Sequence, residues 1–157
     1  MKINILRCTL VLFLFCTFVV IFNFSNQDSD KSGSTSQKVT EAITRNIKAI
    51  QKLNKDEKAK VLDQIENIIR KIAHFSIYSL VGILLMALLS TYNISENNKI
   101  FYTIIIGMIY AMSDEFHQIF ISGRSGQVSD IILDTLGVAV GGLFILGIIK
   151  MADKLKK

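Results

Sequence analysis

The feature that most constrains this chain is a set of apolar blocks, residues 5–24, 72–92, 100–121 and 131–151, in a sequence that contains no proline. Each block is about 20 residues long, and at a helical rise of ~1.5 Å per residue that length crosses the ~30 Å hydrocarbon core of a bilayer. Inside lipid a segment must satisfy its own backbone hydrogen bonds, which a helix does and an open strand does not. The expected fold is therefore an all-α membrane protein, with four transmembrane helices in a compact antiparallel bundle forming a single domain over residues 1–157. Half of the residues are apolar and the mean hydropathy is +0.42, above the range of ordinary soluble domains. The net charge of +5 would suit nucleic acid in a soluble protein. Here it is assigned to membrane orientation and to attraction for anionic lipid headgroups, with no nucleic-acid partner.

The first block holds Cys8 and Cys16. They lie more than two turns apart on one helix and cannot form a disulfide with each other. No small-residue cleavage site follows the block, since "FNFSNQ" is bulky, so it is expected to stay as a membrane anchor rather than be removed as a signal peptide. The connection 25–71 opens with a polar turn region in which Ser34 and Gln37 have capping-box spacing, marking a helix start. Val39, Ile43, Ile47, Ile50 and Leu53 then recur at helical spacing among basic residues. "LNKDEK" interrupts the pattern, and Val61, Ile65, Ile68 and Ile72 resume it and lead into the second span. Both pieces read as amphipathic helices lying flat at the interface, with a water-exposed helical hairpin as the alternative.

Polar residues fall at particular helix ends. Arg70, His74 and Tyr78 share a face at the start of the second span, with Lys71 beside them. The third span ends at Asp114, Glu115, His117 and Gln118, of which Asp114, His117 and Gln118 are expected on one face. Arg124 sits in the next loop, and Asp130 and Asp134 open the fourth span. Short links, "NISENN" and "SGRSGQVS", make these helices antiparallel neighbours, so all of these residues meet at one end. An unpaired ionised side chain costs ~2.5–3.5 kcal/mol at the centre of a membrane helix on insertion scales. Pairing of Arg70 and Arg124 with Asp114, Glu115, Asp130 or Asp134 is expected to offset most of that. Gly137 and Gly141 continue the face of Asp134 as G-x-x-x-G, which favours close helix packing and turns Asp134 inward. The residues could hold an anion through Arg70 and Arg124. They could equally act as acid and base through His74 and His117, or bind a divalent metal through histidine and carboxylates, although no zinc spacing occurs. A purely structural role, with the charges fixing helix register, is the remaining reading.

"RKIAHFSIYSLVG" and "YAMSDEFHQIFISGRSGQVSDIILDTLGVAVGG" resemble the VanZ-like family of bacterial membrane proteins, and "FSNQDSDKSGSTS" is similar to a stretch many members carry after the first span. The resemblance covers nearly the whole chain. It implies a small helical protein of the cell membrane, and the family's namesake is associated with low-level teicoplanin resistance in Gram-positive bacteria. Carried over by position, its motif residues are Arg70, Lys71, His74, Tyr78, Asp114, Glu115, His117, Gln118, Arg124, Asp130, Asp134 and Gly137. Where the family commonly has P-G-R, this chain has Ser122 before Gly123, which removes the proline and keeps the charge.

Lys2 and Arg7 before the first span, and Lys150, Lys154, Lys156 and Lys157 at the last, favour cytoplasmic termini. The polar end then faces outward, where lipid-linked cell-wall precursors and lipoglycopeptides are found. Binding of such a ligand, or of an envelope lipid, is the expected function. A membrane-embedded hydrolase or transferase acting on a lipid-linked phosphate, possible with a metal, is the alternative.

Overall fold

The structure, a computed structural model, describes residues 2–26, 29–122, 124 and 126–155, with the backbone alone over 29–35. Helices α1 (Lys2–Ser25), α2 (Ser29–Thr44), α3 (Lys48–Gln51), α4 (Lys55–Ser90), α5 (Glu96–Gln118) and α6 (Val128–Leu155) follow one another, with no strand among the described residues. Helices α1, α4 and α6 are long and apolar enough to cross a membrane. Helix α5 is 23 residues long but does not join them by that measure. Its last turns are occupied by Asp114, Glu115, His117 and Gln118, which lower its apolarity.

The exterior of the bundle is apolar, and carboxylates are buried within it. Asp134 is 0% exposed and Glu115 2%, whereas Phe15 is 63% exposed and Phe144 62%. Apolar side chains over so much of the exterior suit lipid as the solvent, because contiguous apolar surface of this extent is not tolerated in water. The interior cluster joins Ile21 of α1 to Tyr78, Val81 and Leu85 of α4, Ala111 of α5 and Val138 of α6.

Helices α4 and α6 run parallel and touch along their length, with α5 antiparallel to both. Glycine permits the approach. A Cβ built on Gly141 would overlap the Ser79 carbonyl oxygen, and one on Gly137 would lie 2.7 Å from the Phe75 carbonyl oxygen. The G-x-x-x-G face thus packs inward as expected. Gly82 belongs to the same seam, where a Cβ would strike the Val138 carbonyl, and Gly107 of α5 meets α6 at the Val138 side chain.

The connection between the first two spans departs from expectation. Helix α2 already begins at Ser29, so the start marked by Ser34 is displaced, and any cap made by Ser34 lies outside the described side chains. "LNKDEK" does break the helix, because Asn54 caps a new one: its side chain accepts from the Glu57 amide at 2.9 Å, and Glu57 Oε2 accepts from the Asn54 amide at 3.3 Å. Residues 61–72 lead into the second span, as expected. They are part of α4, which runs unbroken for 36 residues, about 54 Å at the usual rise. Helix α2 packs antiparallel on this extension through Ser36, Thr40 and Thr44, with Ser36 Oγ donating to Glu66 Oε1 at 3.1 Å. Val39, Ile43 and Ile47 stay exposed.

Opposite the polar end, Arg7 of α1 closes α4. Its guanidinium donates to the Thr91 carbonyl at 2.6 Å and to Thr91 Oγ1 at 3.0 Å, and lies 4.0 Å from the centre of the Tyr92 ring. At the same end Lys150 Nζ donates to Glu96 Oε1 at 2.6 Å, tying α6 to α5.

Candidate functional site

The start of α4, the end of α5 and the start of α6 do meet at one end of the bundle. His74 Nδ1 lies 3.6 Å from Asp134 Oδ2, and Lys71 Nζ lies 4.0 Å from Asp130 Oδ1. Glu115 Oε2 accepts the Gln127 amide at 2.9 Å, which holds the α5–α6 loop against α5.

A cavity of about 330 Å³ opens at this end. Its apolar wall is Ile21, Phe24, Val39, Ile69, Ala73 and Ile77. Its polar groups are Arg70, His74, Tyr78, Asp114 and Arg124, with Ser25 and Ser36. The cavity therefore lies between α1, α2, α4 and α5, where the sequence placed it between the last three spans. Helix α6 stands behind it, with Asp134 fully buried against His74.

The expected pairing of the two arginines with carboxylates is not found. Arg70 donates to Asn67 Oδ1, and Arg124 donates to the Phe24 carbonyl at 3.2 Å. Among the described residues neither guanidinium lies within 4.0 Å of an acidic oxygen. Arg124 lies in the loop and feels Arg70 from the same cavity. Burial first, and then the Arg70 charge, lower its pKa from the ordinary guanidinium value, against the opposing pull of Asp114 and Glu115. Two like charges, Arg70 exposed and Arg124 half-buried, thus line one cavity.

Asp134 Oδ1 and Glu115 Oε1 are buried here with no hydrogen-bond partner among the described residues. Burial of an unpaired polar group ordinarily costs about 1–3 kcal/mol, and functional sites are where such costs persist.

Residues 10–150 match the family described as VanZ/LLP1. The chain belongs to the VanZ/LLP1 family. No curated protein and no solved structure matches it.

Of the motif residues in this VanZ/LLP1 protein, Arg70, His74, Tyr78, Asp114 and Arg124 line one cavity. Gln118 donates to Asp114 Oδ2 at 3.1 Å, and Asp134 backs His74. His117 does not join them. Its ring stacks on Phe22 with 4.9 Å between centroids, in a second cavity of about 300 Å³ that only Asp114 shares with the first. His74 and His117 therefore line different cavities, with Asp114 common to both. Nor do the described residues include a group of three His, Cys, Asp or Glu side chains placed to hold a metal ion. Cys8 and Cys16 are free and exposed on α1. Sequence reasoning missed the contribution of α1, whose Ile21, Phe24 and Ser25 form one wall. The available signal was the "FSNQ" stretch, which begins with Phe24 and Ser25.

Proposed function

We propose that this VanZ/LLP1 protein is a four-span protein of the bacterial cell membrane that binds an anionic envelope amphiphile in the larger cavity. The ligand is an envelope lipid, a lipid-linked cell-wall precursor or a lipoglycopeptide. One observation carries the reading: Arg70 and Arg124 face the same cavity without a carboxylate partner, beside a wall of apolar side chains. Paired guanidinium groups suit a phosphate or carboxylate, which accepts several charge-assisted hydrogen bonds at once. The apolar wall suits the first part of an acyl or prenyl chain.

Helix α5 is the fourth span, with its polar end shielded by α1, α4 and α6 instead of facing lipid. The basic residues of both termini place them in the cytoplasm, which turns the cavity outward. Helix α4 exceeds a ~30 Å hydrocarbon core, so its first turns and α2 stand beyond it, with Val39, Ile43 and Ile47 against the interface. Low-level glycopeptide resistance would follow from binding the drug or the lipid it targets. Native mass spectrometry of the full chain with phosphatidic acid tests this. Wild type binds the lipid and the Arg70→Ala/Arg124→Ala protein does not; equal binding by both removes the proposal.

A second reading is favoured by the His74–Asp134 contact. A buried carboxylate beside Nδ1 orients an imidazole, and His74 lines the same cavity. Hydrolysis or transfer at a lipid-linked phosphate would use it as the base. Phosphate release from a polyprenyl diphosphate, abolished in His74→Gln, supports that reading; binding without turnover rejects it.

A further inference from the structure

The second cavity carries chemistry opposite to the first. Its walls are the rings of Phe22, Tyr110, Phe116, His117 and Phe120, and its polar side is Asp114 and Ser113. Tyr110 is fixed there by stacking on Phe18 at 4.0 Å between centroids and by donating its hydroxyl to the Phe18 carbonyl at 2.9 Å. Phe116 and Phe120 meet edge to face at 5.3 Å and are largely exposed, so the cavity opens at the outer surface of the bundle.

Asp114 is buried, and among the described residues it has no cation within ion-pair distance. His117 Nε2 is also buried and has no hydrogen-bond partner among them. Aromatic faces attract cations through their quadrupole, and a desolvated carboxylate does so more strongly. A primary ammonium has three N–H donors and no acceptor. The cavity offers matching acceptors in the Asp114 carboxylate and the Ser113 hydroxyl, with His117 Nε2 beside them.

We infer that the Phe22–Tyr110–Phe116–His117–Phe120 cavity seats a primary ammonium group against Asp114. The inference deepens the anion-binding reading and rests on it: with Asp114 bordering both cavities, the protein selects amphiphiles that carry an amine as well as an anionic group. The end of α1 divides the two seats, with Phe24 lining the anion side and Phe22 the ammonium side.

The test compares phosphatidylethanolamine with N-acetyl-phosphatidylethanolamine, binding each to the full chain in nonionic detergent by native mass spectrometry. Acetylation removes the ammonium and makes the headgroup more anionic, so the arginines alone would favour the acetylated lipid. The expected result is the reverse, a preference of about tenfold for the free amine. Asp114→Asn abolishes that preference. Phe120→Leu, on an exposed ring, reduces it about threefold. Equal binding of the two lipids, or tighter binding of the acetylated one, overturns the ammonium seat and leaves the anion seat standing. If neither lipid binds, the anion-binding reading has failed and dodecylamine decides the rest: binding that Asp114→Asn removes keeps the ammonium seat, and no binding ends it.

Discussion

Replacing Gly141 by alanine forces α4 and α6 apart. The new Cβ would overlap the Ser79 carbonyl oxygen and lie 2.7 and 2.9 Å from the Ser79 carbonyl carbon and Cα. Carbon atoms prefer ~3.5–4.0 Å, so the backbones must separate by about 1 Å. Nothing can rotate out of the way, because the atoms struck belong to the main chain. Overpacking of this kind costs ~1–3 kcal/mol, and alanine returns up to ~1 kcal/mol in helix propensity. A net loss of about 1–2 kcal/mol lowers Tm by ~2–8 °C in a chain of this size. Gly147 supplies the control, since a Cβ there meets nothing within 4 Å. Gly147→Ala on the same helix should leave Tm unchanged or raise it slightly. Thermal unfolding in detergent, followed by far-UV circular dichroism, compares the two. Equal shifts in both variants would refute glycine-mediated contact between α4 and α6.

Other expectations concern the ends of the bundle. Asp134→Ala strands His74 beside an emptied buried site; breaking a buried pair costs ~3–5 kcal/mol, and a cycle with His74→Ala should show coupling between the two residues in chemical denaturation. Arg7→Ala removes two hydrogen bonds and the ring contact at the end of α4, lowering stability by about 1–3 kcal/mol. Glu96→Gln breaks the exposed Lys150 pair and should cost no more than ~1 kcal/mol in the same measurement.

Axial position was legible in the sequence and angular position was not. Short links oblige successive helices to reverse, so the depth of Arg70, His74, Asp114 and Asp134 followed from counting residues. Rotation about each axis depends on tertiary contacts. At ~100° per residue, Gln118 lies about 40° from Asp114 and His117 about 60° to its other side. That difference carries His117 across to Phe22 while Gln118 stays bonded to Asp114. Helix α1 gave less, because apolar residues surround it and no stripe marks the buried side. Its place in the cavity follows from Phe18 and Phe22 meeting Tyr110 and His117. The carboxylate pairing of Arg70 and Arg124 failed for a related reason. Opposite charges at one depth attract, but nearer partners, Asn67 and the Phe24 carbonyl, took their hydrogen bonds.

The account depends most on an anionic headgroup entering between α1 and α4, and photocrosslinking tests that directly. A phosphatidic acid carrying a diazirine high on one acyl chain is irradiated with the full protein and the adducts are mapped by mass spectrometry. The account predicts labelling at Ile21, Ile69, Ala73 and Ile77, lost in the Arg70→Ala/Arg124→Ala protein. Labelling spread over the lipid-facing Val140 and Phe144, and unchanged by those substitutions, would contradict it.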